Sequence, residues 1–127
     1  CVPDGALVVN LQYGDRKSEI EAARRARPDV YILDDPEVDQ MADLASFFAQ
    51  VAAMDQVLSI DNTTAHVCGA IGHPETHVLI PTGSECMWYW GETGDLDPWY
   101  GNLNLYRQSK LGVWDDPLSL MKSSVCP

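Results

Sequence analysis

Short apolar runs alternate with longer amphipathic stretches along most of the chain. The apolar runs predict five strands, over residues 6–11, 30–33, 57–60, 76–80 and 103–106. The stretches between the first four strands predict helices, and a final helix is expected over 115–124. Runs that are apolar throughout and separated by helices are typical of a parallel sheet covered on both faces. We therefore expect an α/β fold with a mostly parallel sheet and helices on both sides.

The first two helices have recognisable boundaries in the sequence. Ser18 and Glu21 have the spacing of a capping box that opens the first helix, and Pro28 ends it. The second helix is expected from about residue 40 to residue 53, with Asp39 as its cap. Its apolar stripe is predicted to consist of Met41, Leu44, Ala45, Phe48, Val51 and Ala52.

The polar turn after the third strand holds the main candidate site residues, which are Asp61, Asn62, Thr63 and Thr64. Such residues cap helices, and Gly72 followed by Pro74 predicts where the helix ends. A helix that starts where a parallel strand ends is a site for anions, and His66 would lie near the same edge. Two alternatives stay open, because the turn would cap its helix without any ligand and His66 could be an ordinary half-buried histidine.

A long segment, residues 82–102, follows the fourth strand and is rich in glycine and aromatic residues. Its aromatic side chains are Trp88, Tyr89, Trp90, Trp99 and Tyr100. A loop of this length in a compact domain is usually functional or disordered, and the aromatic content disfavours disorder. These side chains could stack on the base or sugar of a ligand, or they could cover an edge of the sheet.

Composition narrows the function classes. The net charge of −11 over 127 residues disfavours nucleic acid and anionic membranes as partners. The apolar runs are far shorter than the roughly 20 residues of a membrane span, so none is expected. The four cysteines lack C-x-x-C spacing and are expected to be reduced thiols. We expect a cytoplasmic protein without metal or cofactor, and His73 and His77 are not expected to bind metal.

The segment 61–74, which reads DNTTAHVCGAIGHP, resembles the D-[TN]-[TS]-x-x-H-[LV]-x-G-A-[LI]-G-x-P motif of heptosyltransferase-like family 9 glycosyltransferases. In particular it resembles the C-terminal domains that bacterial tetratricopeptide-repeat proteins carry. Three further blocks match in order: VNLQYGD at 9–15, the alternating Trp88 and Trp90, and PWY at 98–100 with LYRQ at 105–108. The resemblance spans roughly residues 8–108.

The resemblance implies that residues 1–127 are one partial domain, the Rossmann-like C-terminal half of a GT-B enzyme. In that family this half binds a nucleotide-diphosphate sugar, and inverting transfer proceeds without a metal. Carried over, Asn62, Thr63 and Thr64 would hold the diphosphate, His66 would donate to it, and Asp61 would accept a sugar hydroxyl or hold the turn.

Further family positions carry over to the first fifty residues. The Gly14 turn with Glu19, or alternatively Glu21, resembles an element that reaches the ribose. Met41 lies at a position where members of the family often have a residue that lines the base pocket.

Two family features have no counterpart in the chain. A first strand, followed by a loop with Lys or Arg for the phosphates, normally precedes the VNLQYGD block, and the catalytic carboxylate usually comes from the N-terminal half. Because the chain also begins with Cys1 rather than Met, we expect a fragmentary or processed chain that is inactive alone. A sheet without that strand would have an open edge, so the fragment could form a homodimer or close its sheet differently.

The expected function is therefore donor binding for a glycosyltransferase whose acceptor is a glycan or a protein. Two alternatives are a degenerate module that serves protein interaction and another GT-B enzyme, such as a nucleotide-sugar epimerase.

Overall fold

The computed structural model describes residue 2 and residues 5–126. Strands and helices alternate along these residues. The elements are β1 (Leu7–Val9), α1 (Lys17–Ala26), β2 (Tyr31–Leu33), α2 (Leu44–Ala52), β3 (Val57–Ile60), α3 (Thr63–Ile71), β4 (Thr76–Ile80), β5 (Leu103–Arg107) and α4 (Asp115–Val125). Two short 3₁₀ turns, Gly83–Glu85 and Trp88–Trp90, lie between β4 and β5.

The described residues divide into two compact units, one of residues 2, 5–50 and 126 and one of residues 51–125. In the first unit β1 pairs with β2 in parallel. In the second unit three parallel strands lie in the order β3, β4, β5. The predicted α/β fold with parallel strands, interleaved helices and a Rossmann-like arrangement is confirmed, with the strands distributed over two sheets rather than one.

The core of the second unit forms around β4. Consecutive strand residues point to opposite faces of a sheet, and Thr76, His77 and Val78 are all buried, so both faces of β4 are covered. Leu103 on β5 and Ala65 on α3 are also fully buried. This unit therefore provides the packed support on which α3 and the aromatic segment rest.

Two helix starts differ from the sequence prediction. Helix α1 begins at Lys17, because the Asp15 carboxylate accepts the Lys17 N–H at 3.1 Å and Ser18 then lies inside the helix. The capping box predicted at Ser18 is therefore wrong. Helix α2 begins at Leu44, because Asp39 closes a separate turn by accepting the Met41 and Ala42 amides at 2.9 Å.

The buried face of α2 also differs from the predicted stripe. Phe47 is 2% exposed, whereas the predicted stripe members Met41, Leu44 and Phe48 are 74%, 54% and 36% exposed. Asp43, the residue before the helix, accepts the Ser46 N–H at 3.1 Å and so sets the first turn. The predicted stripe is wrong at Met41 because that residue lies in the preceding turn, and at Leu44 and Phe48 because the buried face of α2 passes through Phe47.

Three strands have an unpaired side within the residues that the structure describes. There β1 and β2 pair only with each other, and β3 pairs with β4 alone. On β3, Leu58 and Ile60 are 49% and 55% exposed. Open edges of this kind are sites where another strand can add, and the homodimer of the fragment stays a prediction.

The cysteines differ in state. Cys68 and Cys86 are free, whereas Cys126 is disulfide-bonded, so the expected reduced thiol is wrong at Cys126. The missing C-x-x-C spacing argues against a local metal or redox pair but carries no information about cysteines far apart in sequence. The prediction for Cys1 lies outside the described residues. Among the described residues, no helix has the length and apolar content that a membrane span requires.

Candidate functional site

Asp61 and Asn62 separate the end of β3 from the start of α3, and the Asn62 side chain caps the helix. Asn62 has an extended backbone, and its Oδ1 accepts the Thr64 N–H at 2.9 Å and the Ser59 hydroxyl at 3.0 Å. The other end of α3 is the predicted one, with Gly72 in the left-handed conformation at φ +69°. The predicted helix boundaries are therefore confirmed.

The donors at this helix start differ in accessibility. Thr64 uses its N–H in the cap and is 6% exposed, and Ala65 is fully buried. Thr63 is exposed, and within the described chain its N–H and hydroxyl have no hydrogen-bond partner. Since the first amides of a helix carry its positive end, Thr63 is the position where an anion would meet them.

His66 lies on the next part of α3 and is held among aromatic rings. Its Nδ1 is 3.0 Å from the Tyr100 hydroxyl. The ring stacks on Trp90 with centroids 5.1 Å apart and 19° between the planes, and Tyr89 meets it edge-on at 5.0 Å. Because Tyr100 occupies Nδ1, Nε2 is the ring nitrogen left for a ligand.

Gly69 allows Tyr100 to reach His66. A Cβ atom at Gly69 would clash with three carbons of the Tyr100 ring. The ring therefore lies directly on the α3 backbone at a position where any side chain would displace it. This contact explains why a helix that holds a candidate site has glycine in its interior, despite the cost of glycine to helix stability.

The aromatic segment and α3 line a small cavity that is open to solvent on one side, hereafter the aromatic cavity. Its volume is about 140 Å³, and its lining residues are His66, Trp88, Tyr89, Trp90, Trp99 and Tyr100. Trp88 and Trp99 are 77% and 67% exposed and meet at 88° with centroids 6.2 Å apart. Trp90 is fully buried beneath His66. One wall of the cavity is thus fixed in the core, and the other is formed by two tryptophans in contact with solvent.

Two residues that sequence reasoning missed hold this segment in place. The carboxylate of Asp97, 2% exposed, accepts the amides of Trp99, Tyr100, Gly101 and Leu103. The Arg107 guanidinium donates to the carbonyls of Trp90, Gly91 and Gly94. The PWY and LYRQ blocks adjoin or contain these residues, but their spacing carried no signal of either role.

Asp61 supplies negative charge near the cavity. Burial raises the pKa of the Asp61 carboxyl above its ordinary value; the nearby Glu85 acts in the same direction, whereas His66 and a backbone hydrogen bond act against it. Burial also raises the pKa of Tyr89, and the charge of Asp61 adds to the effect. Asp61, Glu85, His66 and Tyr89 therefore share one electrostatic neighbourhood.

The structure thus brings five predicted site residues together at the start of α3: Asp61, Asn62, Thr63, Thr64 and His66. The remaining three belong to the first unit. Gly14 forms a turn at φ +78°, Glu19 pairs with Arg16 at 3.5 Å in the first turn of α1, and Met41 is 74% exposed. The ligand roles of all eight stay predictions.

The two other histidines have structural partners. His73 is 2% exposed, with Nε2 2.9 Å from the Met54 carbonyl and Nδ1 3.0 Å from the Thr76 hydroxyl. The Nδ1 of His77 is 2.8 Å from the Tyr106 hydroxyl, and its Nε2 is 2.9 Å from a Glu75 carboxylate oxygen. Within the described part of the chain, no cluster of three or more His, Cys, Asp or Glu side chains could hold a metal ion.

The chain is similar to protein FlbA of Caulobacter vibrioides, with 31% identity over 122 residues. The match covers 95% of this chain and 19% of FlbA, so the chain spans about a fifth of the length of this curated relative. No protein-family profile matches the chain. No solved structure matches it.

Proposed function

We propose that the chain is the donor-binding part of an inverting, metal-independent glycosyltransferase of GT-B architecture, with a nucleotide-diphosphate sugar as donor. The observation that carries the proposal is the arrangement at α3. An exposed Thr63 amide at a helix start, the free Nε2 of His66 and the aromatic cavity follow one another along one helix. A bound donor would place its anionic group at the Thr63 amide, the adjoining group at Nε2 of His66 and an attached ring in the aromatic cavity.

The chemistry of such a transfer suits this site. Negative charge develops on the leaving diphosphate, and without a metal it has to be stabilised by fixed donors. The positive end of α3 and the imidazole of His66 are donors of this kind. His66 is positioned for the role, because Tyr100 and Trp90 fix its ring on two sides.

The negative neighbourhood limits what the chain does alone. Asp61 and Glu85 oppose an anion at the helix start, and Arg107 is engaged with loop carbonyls. We therefore include in the proposal a cationic group from a segment outside these 127 residues. Most of the length of FlbA lies outside the match, which leaves room for such a segment in a protein of that kind.

The rest of the machinery belongs to the same proposal. The acceptor, a glycan or a protein, and the catalytic carboxylate would come from the N-terminal half of a longer protein. In this proposal that protein is bacterial and cytoplasmic and carries tetratricopeptide repeats, and the 127-residue chain alone is inactive.

Hydrogen exchange with nucleoside diphosphates tests donor binding. We expect ADP, GDP or UDP to slow exchange of the amides at 62–66, with the largest effect at Thr63, whose N–H has no protein acceptor. The matched control is the corresponding nucleoside, which has no diphosphate and should leave these amides unchanged. Unchanged exchange at Thr63 with every diphosphate would contradict the proposal.

A degenerate module that serves protein interaction is the second candidate. It is favoured by the exposed Trp88 and Trp99, since large exposed apolar groups often mark protein interfaces. Under this alternative, Trp88→Ala would abolish capture of a partner protein while nucleoside diphosphates remained without effect on Thr63.

A further inference from the structure

The lining of the aromatic cavity consists of six side chains and is almost wholly apolar. Five of these side chains belong to tryptophan or tyrosine, and the sixth is the imidazole of His66. Nδ1 of His66 lies 3.0 Å from the hydroxyl of Tyr100, so these two polar groups bind each other. A ligand in the cavity therefore meets aromatic rings and few hydrogen-bond partners.

The rings line the cavity at steep angles to one another. Trp88 and Trp99 are inclined at 88° with centroids 6.2 Å apart, and Trp88 and Tyr89 at 74° with centroids 5.7 Å apart. A flat ligand could stack on only one of these rings. A cation is attracted to the face of an aromatic ring from within about 6 Å of its centroid. Because the centroids are themselves this close, a compact cation among them lies in range of several rings at once.

The two tryptophans stay exposed although their loop is held in place. Trp88 and Trp99 are 77% and 67% exposed. Asp97 accepts four amides of the segment that carries Trp99, and Arg107 donates to three carbonyls of the segment that carries Trp90. The rings are thus arranged before any ligand arrives, which reduces the entropy lost on binding.

The charge around the cavity favours a positive ligand. The chain has a net charge of −11, and the segment 82–102, which supplies five of the six lining residues, contains four acidic residues and no Lys or Arg. Helix α3, which supplies His66, contains no Lys or Arg either. An excess of one sign of charge raises the local concentration of ligands of the opposite sign.

The apolar lining selects among cations. An ammonium or guanidinium group carries N–H donors that are hydrogen-bonded in water, and burying such donors without acceptors is costly. A quaternary ammonium has no N–H group, and its charge is surrounded by methyl groups that gain free energy from contact with apolar surface. Cavities lined by aromatic side chains are a known means of recognising this group in proteins.

The size of the cavity fits one such group. Its volume of about 140 Å³ is several times the ~30 Å³ that one water occupies in the liquid. It is well below the ~300–1,000 Å³ of sites that enclose whole drug-sized molecules. The rest of a ligand would extend through the side that is open to solvent.

We propose that the aromatic cavity binds the quaternary ammonium group of a choline-like small molecule, with Trp88 and Trp99 against the positive charge. The observations that carry the inference are the aromatic lining, the inclined rings and the acidic surroundings. The inference goes beyond the proposed function and does not depend on it, because it involves neither the Thr63 amide nor a diphosphate. Where both proposals hold, the cation and the attached ring of the donor compete for the cavity.

A titration of the 127-residue chain followed by NMR tests the proposal. The probes are tetramethylammonium chloride, choline chloride and the neutral analogue of choline in which a quaternary carbon replaces the nitrogen. Both cations should shift the indole N–H signals of Trp88 and Trp99 to saturation. The neutral analogue has the same shape but no charge, so it should bind at least about fivefold more weakly than choline. Ammonium chloride at the same concentration is the control for salt and should give no saturable shift.

Substitutions at Trp99 separate the attraction of charge from apolar contact. Trp99→Leu keeps an apolar side chain and removes the ring, so it should weaken choline binding about two- to thirtyfold, the range for one cation–π contact. Binding of the neutral analogue should weaken less. Trp99→Phe keeps a ring and should lie between the wild type and Trp99→Leu. Trp114→Ala is the matched control, because Trp114 does not line the cavity, and circular dichroism checks that each variant is folded.

Three results would overturn the proposal. They are the absence of a saturable indole shift with either cation, equal affinity for choline and its neutral analogue, and unchanged choline binding in folded Trp99→Leu. Tighter binding of a peptide that contains trimethyllysine than of choline would overturn the assignment to a small molecule.

The Thr63 amide in the same spectra reports separately on the proposed function. If choline shifts the indole signals but no nucleoside diphosphate affects Thr63, the cation site stands and the proposed function fails. If a nucleoside diphosphate affects Thr63 but neither cation shifts the indole signals, the proposed function stands and the cation site is overturned.

Discussion

The two units have the same alternation of strands and helices but differ in how completely these elements are buried. In the first unit, β1 and β2 form a two-stranded sheet, and Ile20 and Phe47 are its buried apolar side chains among the described residues. In the second unit, β4 has a neighbour on each side, and consecutive residues along it are buried. A strand with two neighbours can be covered on both faces, and a site that needs fixed geometry depends on such support. The aromatic cavity lies entirely in this second unit.

Of the substitutions considered, Trp90→Ala should destabilise the second unit the most. Trp90 is fully buried and stacks under His66, and truncation of a core tryptophan costs about 3–5 kcal/mol. We expect this loss in urea unfolding followed by circular dichroism. Trp88→Ala is the matched control two residues away, and its 77% exposed side chain should cost well under half as much. Equal losses for the two variants would show that Trp90 is not part of a packed core.

Asp97→Asn should have the next largest effect. The amide retains one acceptor oxygen but turns an NH₂ group toward N–H donors, which leaves buried amides unpaired at a cost of about 2–4 kcal/mol. The aromatic segment should loosen as well, so the indole signals of Trp88 and Trp99 should broaden. The control is Asp95→Asn on the exposed part of the same loop. A stable variant with unchanged indole signals would contradict the role of Asp97.

Gly69→Ala tests the contact between α3 and Tyr100. The added methyl group overlaps the Tyr100 ring, and overpacking of this kind costs about 1–3 kcal/mol. Displacement of the ring should also break the bond between Tyr100 and His66 and shift the His66 ring signals in NMR. Gly72→Ala is the control, because it meets no neighbour and is unfavourable only through its φ of +69°. It should lower stability without shifting the His66 signals.

Asp61→Asn should have a small effect whose sign depends on pH. Since burial raises the pKa of Asp61 in the folded chain, its contribution to stability is complete below the unfolded value of about 3.9 and is lost as pH rises through the folded value. The difference in free energy of unfolding should therefore shift in favour of the variant between pH 4 and neutrality. At pH 7 the variant should be the more stable of the two. Urea midpoints across this range measure the gain. A variant that is less stable at pH 7 would show that the ionised carboxylate is well paired.

Local chemistry explains which elements could be predicted from the sequence. The boundaries of α3 follow from Asn62 and Gly72, and β3 and β4 follow from runs of apolar residues with clear ends. The start of α1 could not be predicted as easily, because its N-cap is Arg16, which makes no side-chain cap bond, and the Asp15 carboxylate that accepts the Lys17 N–H is not part of a capping box.

Tertiary contacts explain most of what could not be predicted. Asp97 accepts amides from residues up to six positions later, and this depends on the path of the loop and not on a motif. Arg107 reaches carbonyls 13 to 17 residues earlier in the chain. The same holds for Gly69. A side chain there would clash with the ring of Tyr100, which is 31 residues away in the sequence.

The central claim is that the Thr63 amide at the start of α3 binds the diphosphate, and two substitutions at Thr63 test it directly. Thr63→Pro removes that N–H at the first helical position, where proline is well tolerated, and Asn62 before it is already extended. Thr63→Ala keeps the N–H and removes only the hydroxyl. Calorimetric titration with the diphosphate that slows exchange at Thr63 should give binding at least about tenfold weaker for Thr63→Pro than for Thr63→Ala. Equal affinity for the two variants would contradict the claim.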